Sequence, residues 1–177
     1  GAIDLITVAR PYLRNLVDEI GENANLAVLD GSDVVYLACE ECSRMVRAFT
    51  VTGARVPAYA TGVGKVLLSG LTDSAFGALY EGRALMEFTS RTVTSPEELL
   101  ARIQKVRCQG YAFDEGERED GVFCIAAPVV AAVSISGPTP RLEPQREEAC
   151  RRTIECAARV STDLGWKPKD RHRSKGD

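Results

Sequence analysis

The chain has 177 residues, 45% of them hydrophobic and 27% charged, enough apolar material for the core of one ordinary domain. Its 22 basic and 25 acidic residues leave a formal charge of −3, which excludes a globally positive surface that would hold nucleic acid by its phosphates. No apolar run approaches the roughly 18 residues that a membrane-spanning helix needs, and the N-terminus lacks the order of a signal peptide, so a cytoplasmic protein without a membrane partner is expected.

From Asp4 onward, Leu5, Ile6, Ala9, Tyr12, Leu13, Leu16, Val17 and Ile20 recur at three- and four-residue steps, an amphipathic helix closed by Gly21. Asn25 to Leu29 and Val34 to Cys39, joined by Asp30-Gly31-Ser32-Asp33, read as a hairpin, and Phe49 to Val51 as a further short strand. Tyr59 to Ser69 suits a short helix entered through glycine, and Asp73 to Tyr80 another. Ser95-Pro96-Glu97-Glu98 supplies a hydroxyl cap, a proline at the first helical position and a carboxylate able to close a capping box, so a helix runs from about Pro96 to Gln109 and stops at Gly110.

Tyr111 to Asp114 reads as a strand and Glu115 to Asp120 as a solvated acidic turn. Val122 to Ser136 is β-prone throughout but too long for one strand and interrupted by Pro128, so two strands with an abrupt join near Val130-Ala131 are inferred. Pro144 to Leu164 forms a last helix with Cys150, Ile154, Ala157, Ser161 and Leu164 on its buried stripe, its arginines pairing with glutamates on a solvated face. Short turns between consecutive strands favour antiparallel pairing, and helices at the ends and in the middle favour packing on the sheet: an α+β domain over residues 4–165, followed by a charged tail over 166–177.

The lone histidine, His172, lies in that tail, which leaves serine or cysteine nucleophiles without their usual base. Six scattered cysteines read as reduced thiols, and Cys39-Glu40-Glu41-Cys42 lacks the second pair a zinc site needs, so neither metal nor other cofactor is expected. Thr61-Gly62-Val63-Gly64-Lys65 departs from a P-loop, with Tyr59 and Val66 where glycine and a hydroxyl residue belong. Two readings of it stay open: the amides of a helix start greeting a carboxylate or phosphate, or glycines that let the helix lie close to the sheet. Asp114 closes a strand, and a carboxylate facing inward there must find a donor or a proton. Ser134 and Ser136 share one strand face.

Four blocks in order carry a resemblance: Val56-Pro57-Ala58-Tyr59-Ala60-Thr61-Gly62-Val63-Gly64-Lys65-Val66-Leu67-Leu68; Gly110-Tyr111-Ala112-Phe113-Asp114 with its acidic turn; Cys124-Ile125-Ala126-Ala127-Pro128-Val129; and Ser134-Ile135-Ser136-Gly137-Pro138. Together they resemble the C-terminal effector-binding domain of IclR-type bacterial transcriptional regulators. The resemblance implies a GAF-like fold, an antiparallel sheet of about six strands with flanking helices, and a pocket between the sheet and the loop from Thr61 to Lys65. It implies a non-enzymatic ligand sensor of a regulator or repressor that meets DNA through an N-terminal winged helix-turn-helix domain absent from this sequence, as a homodimer or tetramer. Its effector would be a small organic acid or aromatic catabolite, with Gly62 and Val63 supplying amides and Asp114, Cys124, Ser134 and Ser136 lining the other wall.

One departure from the family stands out. Several turn residues are expected between the last two strands, yet Val129-Val130 runs straight into Ala131-Ala132, so either the hairpin is shortened or a loop is missing there, and the second reading is favoured. The rival readings are an enzyme using Cys124 as nucleophile and an oligomerisation module whose pocket is filled by side chains.

Overall fold

Side chains alternate across a β-strand, and in this protein the alternation sorts large aliphatic residues from small and polar ones. The computed structural model describes residues 1–166; the expected tail, 166–177 with His172, lies outside the described residues except for Trp166. Six strands, β1 (Asn23–Asp30), β2 (Asp33–Glu40), β3 (Arg55–Pro57), β4 (Ala112–Glu115), β5 (Val122–Pro128) and β6 (Ala132–Pro138), form one sheet in the order β3-β2-β1-β6-β5-β4. Every adjacent pair is antiparallel. The flanking helices are α1 (Ala2–Ile20), α2 (Gly62–Ser69), α3 (Asp73–Tyr80), α4 (Pro96–Gln109), the short α5 (Thr139–Leu142) and α6 (Arg146–Asp163), which completes the expected α+β, GAF-like arrangement.

One sheet face presents Leu26, Phe123, Ile125, Val133 and Ile135 to α1 and α6, which also contact each other. The other presents Ala27, Val34, Ala112, Ala126 and Ala132 to α2, beside which α4 lies. Local signals explain most boundaries. Ser95 Oγ accepts from the Glu98 amide at 3.1 Å to start α4, and Gly110, at φ 84°, ends it in the left-handed conformation that glycine tolerates. The capping box is only half made, because the Glu98 carboxylate accepts from Arg102 at 2.8 Å instead of turning back.

Three expectations are corrected. Phe49–Val51 is not a strand: Phe49 is 78% exposed, and the pairing with β2 falls to Arg55–Pro57, after Gly53 at φ 86° has turned the chain. On α6 the buried stripe is rotated, so that Ile154 is exposed while Thr153, Cys156 and Val160 are buried; Thr153 Oγ1 donates to the Ala149 carbonyl at 2.7 Å, which removes the cost of burying its hydroxyl. The helical arginines do pair locally, Arg151 and Arg152 with Glu148 and Arg159 with Glu155, but Arg141 crosses to a fully buried Glu22. The inferred join in the long β-prone run is a tight turn: Pro128 pairs with Ala132 and the Val129 amide donates to the Ala131 carbonyl at 2.9 Å.

Candidate functional site

Register places two rows of side chains on the α2 face of the sheet. In one, Asp114 stands opposite Cys124, Cys124 opposite Ser136 and Ser136 opposite Asn23. In the next, Ala126 stands opposite Ser134 and Ser134 opposite Asn25. Asn25 Nδ2 donates to Ser134 Oγ at 3.5 Å, while the buried Asn25 Oδ1 accepts from no group among the described residues.

Over these rows lies the start of α2. Thr61 Oγ1 caps it by accepting from the Gly64 amide at 2.9 Å, and the Lys65 amide donates to the Thr61 carbonyl at 3.1 Å. Among the described residues the two preceding amides, of Gly62 and Val63, donate to nothing, as the first turn of a helix leaves them. The two glycines differ. A Cβ on Gly64 would fall on the Ala58 carbonyl, so this glycine serves close packing, whereas a Cβ on Gly62 would touch Cys124 Sγ at 3.4 Å and Asp114 Cβ at 3.6 Å. Gly62 therefore sits directly against the Asp114–Cys124 row. Val63 sends its side chain into the apolar cluster, leaving only its backbone to face a ligand.

Burial pushes the Asp114 carboxyl up to about 6, against the opposing pull of Lys65. Its Oδ1 accepts from the Glu117 amide at 2.8 Å. The acidic turn, expected to be solvated throughout, is solvated only in part: Glu117 is buried, and its carboxylate takes Lys65 of α2 and Arg102 of α4. Thr89 and Thr92 donate their hydroxyls to the Gly116 and Glu117 carbonyls, each at 2.6 Å, fastening the turn from the other side. Burial, with the charge of Asp114, pushes the Cys124 thiol up to about 12, while hydrogen bonding by Ser136 and Ser134 opposes the rise. A thiol so placed stays protonated at neutral pH, the reverse of what a nucleophile needs.

A cavity of about 480 Å³ opens on this face. Asp114, Cys124 and Ser136 line it, together with Thr61, Tyr36 and the segment 48–51. Ser134 lies one rung further in, beside Asn25, and reaches Cys124 rather than the cavity wall. Asn23 holds the wall segment in place, its Nδ2 donating to the Ala48 carbonyl at 2.6 Å and its Oδ1 accepting from the Cys42 amide at 2.7 Å. Of the sequence-derived set, Asp114, Cys124 and Ser136 line the cavity, Gly62 packs against Asp114 and Cys124, Ser134 lies one rung further in, and the Val63 side chain is buried in the apolar cluster. Tyr36, Asn25 and Arg118 escaped sequence reasoning, and Thr61 entered it only as the start of the loop over the pocket. Only Thr61 carried a usable signal, a hydroxyl residue immediately before a helix start. A wider groove of about 650 Å³, between α4 and β4, is lined by charges that mostly pair with one another, by Lys65 of the first block and by Ala112 and Phe113 of the second, but by none of the six expected ligand-binding residues.

Comparison with known proteins places this geometry in context. Residues 1–162 match the family described as bacterial transcriptional regulator IclR, C-terminal. The chain is 37% identical over 172 residues to the HTH-type transcriptional regulator BhcR of Paracoccus denitrificans strain Pd 1222, covering 93% of this chain and 61% of that protein. It is 36% identical over 173 residues to the HTH-type transcriptional repressor AllR of Salmonella typhi, covering 93% and 64%. The chain therefore spans less than two thirds of the length of these relatives. Among solved structures, an IclR homolog from Microbacterium hydrocarbonoxydans complexed with 4-hydroxybenzoate superposes with a TM-score of 0.84 at 26% identity, over 93% of this chain and 70% of that one.

Proposed function

Since the chain belongs to the IclR family of bacterial transcriptional regulators, matching its C-terminal domain, we propose that it is an effector-binding domain that takes a small organic acid, aromatic or aliphatic, in the cavity beneath α2. The observation that carries this reading is a cavity lined by Thr61, Asp114, Cys124 and Ser136, with Gly62 packed against Asp114 and Cys124 and the Gly62 and Val63 amides unspent. Unpaired amides at a helix start carry partial positive charge, which favours an anion. The Ser136 hydroxyl offers a hydrogen bond to the remaining polar atoms of the ligand, and Ser134 acts one step behind it through Cys124. The relatives are named as regulators and a repressor, a role without catalysis, and the protonated Cys124 thiol agrees with a ligand-holding part.

In the full regulator, effector binding would shift the balance between two arrangements of paired subunits and so alter operator binding by an N-terminal helix-turn-helix domain. Coupling of this kind is typically about 1–3 kcal/mol. Titration calorimetry with a panel of organic acids tests the site. Ser136→Ala and Ser134→Ala should each weaken binding several-fold while urea denaturation stays close to wild type. Equal affinities in wild type and both variants would remove the cavity from the account.

A further inference from the structure

The cavity has a second polar end that family likeness does not assign. Arg118 lines its rim, on the loop that follows Asp114, and its guanidinium lies 4.1 Å over the ring of Phe88. Phe88 stacks on Tyr59 with ring centroids 6.1 Å apart, and Tyr59 is itself anchored by donating its hydroxyl to the Met86 carbonyl at 2.8 Å. The cation is thus held on a fixed aromatic platform beside the opening. Among the described residues it makes no ion pair and no hydrogen bond; Glu119 shares the rim without pairing with it. Tyr36 lines the same cavity.

Two anion-seeking points therefore flank the cavity: the start of α2, whose Gly62 lies against the lining residues Asp114 and Cys124, and the guanidinium of Arg118 at the mouth. A volume of about 480 Å³ is far more than a single carboxylate fills. A guanidinium fork also matches a planar carboxylate with two parallel hydrogen bonds, a geometry a lysine cannot offer. We infer that Arg118 determines specificity for a ligand with a second carboxylate, so that the effector class is a short dicarboxylic acid spanning from the α2 amides to the rim. The inference rests on the organic-acid site proposed above and adds its second contact.

The test is titration calorimetry of the 177-residue chain with malonate, succinate and glutarate, each set against the monocarboxylate of equal length, propionate, butyrate and valerate. At least one diacid should bind ten-fold or more tightly than its monoacid partner. Arg118→Gln should cut that diacid's affinity ten-fold or more and leave the monoacid within two-fold, and Arg118→Lys should recover only part of the loss. Raising the salt concentration should weaken the diacid more than the monoacid in wild type and equally in Arg118→Gln. If acids bind and Ser136→Ala weakens them while Arg118→Gln weakens none, the rim contact is wrong and the inner site stands. Should neither diacids nor monoacids bind the wild-type chain, the dicarboxylate reading falls, and the organic-acid site is then decided by the wider panel above, aromatic acids included. Arg118 is exposed and its side chain supports no buried contact, so altered folding is not expected; a thermal melt of each variant checks this.

Discussion

Under α1 and α6 the sheet presents Leu26, Phe123, Ile125, Val133 and Ile135, whereas under α2 the same strands present Asn25, Ala27, Cys124, Ala126, Ser134 and Ser136. The first set fills its space with aliphatic and aromatic volume and carries the burial energy. The second set is small or hydroxylated, so α2 can come close at Gly64 while space remains beyond Ala126 for something else. The contrast teaches that period-two alternation separates two jobs on one set of strands. One face supplies stability, and the other spends some of it on buried polar groups such as Asp114 and Asn25.

The largest expected effect lies on the apolar face. Phe123 is fully buried and its ring packs 5.6 Å from that of Phe113. Phe123→Ala should cost about 3–5 kcal/mol in urea denaturation, by lost transfer energy and the cavity left behind. Organic-acid affinity of the folded protein should hold, because Phe123 points away from Cys124 and Ser136 although it precedes one of them in sequence. A variant that lost stability and affinity together would dissolve the division between faces.

Next in size is Gly64→Ala on the other face. The added methyl would coincide with the Ala58 carbonyl, so the turn at 58–60 and α2 must separate. A cost of about 3 kcal/mol, the upper part of the overpacking range, is expected. Here affinity should fall as well, since displacement of α2 moves the Gly62 and Val63 amides off the Asp114–Cys124 row. Calorimetry on the folded fraction separates the two losses.

Much of this division was legible before any coordinates. Alternation alone put Ser134 and Ser136 on one face, and Ser95-Pro96 with Gly110 fixed both ends of α4. What could not be read was everything set by partners distant in sequence. Whether Ser136 meets Cys124 or some other residue depends on cross-strand register, which no local pattern encodes. Glu117 sits in a run that looks solvated, and only Lys65 and Arg102, 52 and 15 residues away, make its burial tolerable. Phe49 to Val51 has strand composition, but Asn23 holds the adjoining Ala48 as a cavity wall, so composition lost to a tertiary hydrogen bond. Ile154 shows the same on α6, where two apolar stripes compete and the partner surface of α1 chooses between them.

Asp114 sharpens the comparison through pH. Its carboxyl is held up near 6 in the folded protein against an ordinary value of about 4 in the unfolded chain, so the folded state binds the extra proton. Stability from this group is full below pH 4 and is lost as pH rises through about 6. Wild type should therefore gain on the order of 2 kcal/mol between pH 7 and pH 4 from this residue, a gain absent from Asp114→Asn. Asparagine keeps the oxygen that accepts from the Glu117 amide, so the turn should survive and the variant should be the more stable form at pH 7. Urea denaturation of both at pH 5 and pH 7 gives the answer. A pH dependence shared equally by the two would assign the effect elsewhere. The same protonation removes negative charge beside the α2 amides, so the wild-type affinity for butyrate should rise on going from pH 7 to pH 5.5, where that acid is still largely ionised.

The smallest expected effect on stability, and the most selective on function, is Gly62→Ala. Unlike the methyl at position 64, this one enters ordinary van der Waals contact, 3.4 Å from Cys124 Sγ and 3.6 Å from Asp114 Cβ. The first turn of α2 already has helical backbone there, and alanine is favoured over glycine in helices by up to about 1 kcal/mol, so stability should change by less than that, and upward if the contact is relaxed. The methyl nevertheless occupies space through which a ligand atom would approach the Gly62 amide. If the amides are the inner anion contact, affinity for monocarboxylates and dicarboxylates should fall together by ten-fold or more, in contrast to the diacid-only loss expected of Arg118→Gln. Stability and affinity would then move independently at one position, on the polar face alone. An alanine that leaves both acid classes bound as in wild type would show that Gly62, like Gly64, is there only to let α2 lie close to the sheet.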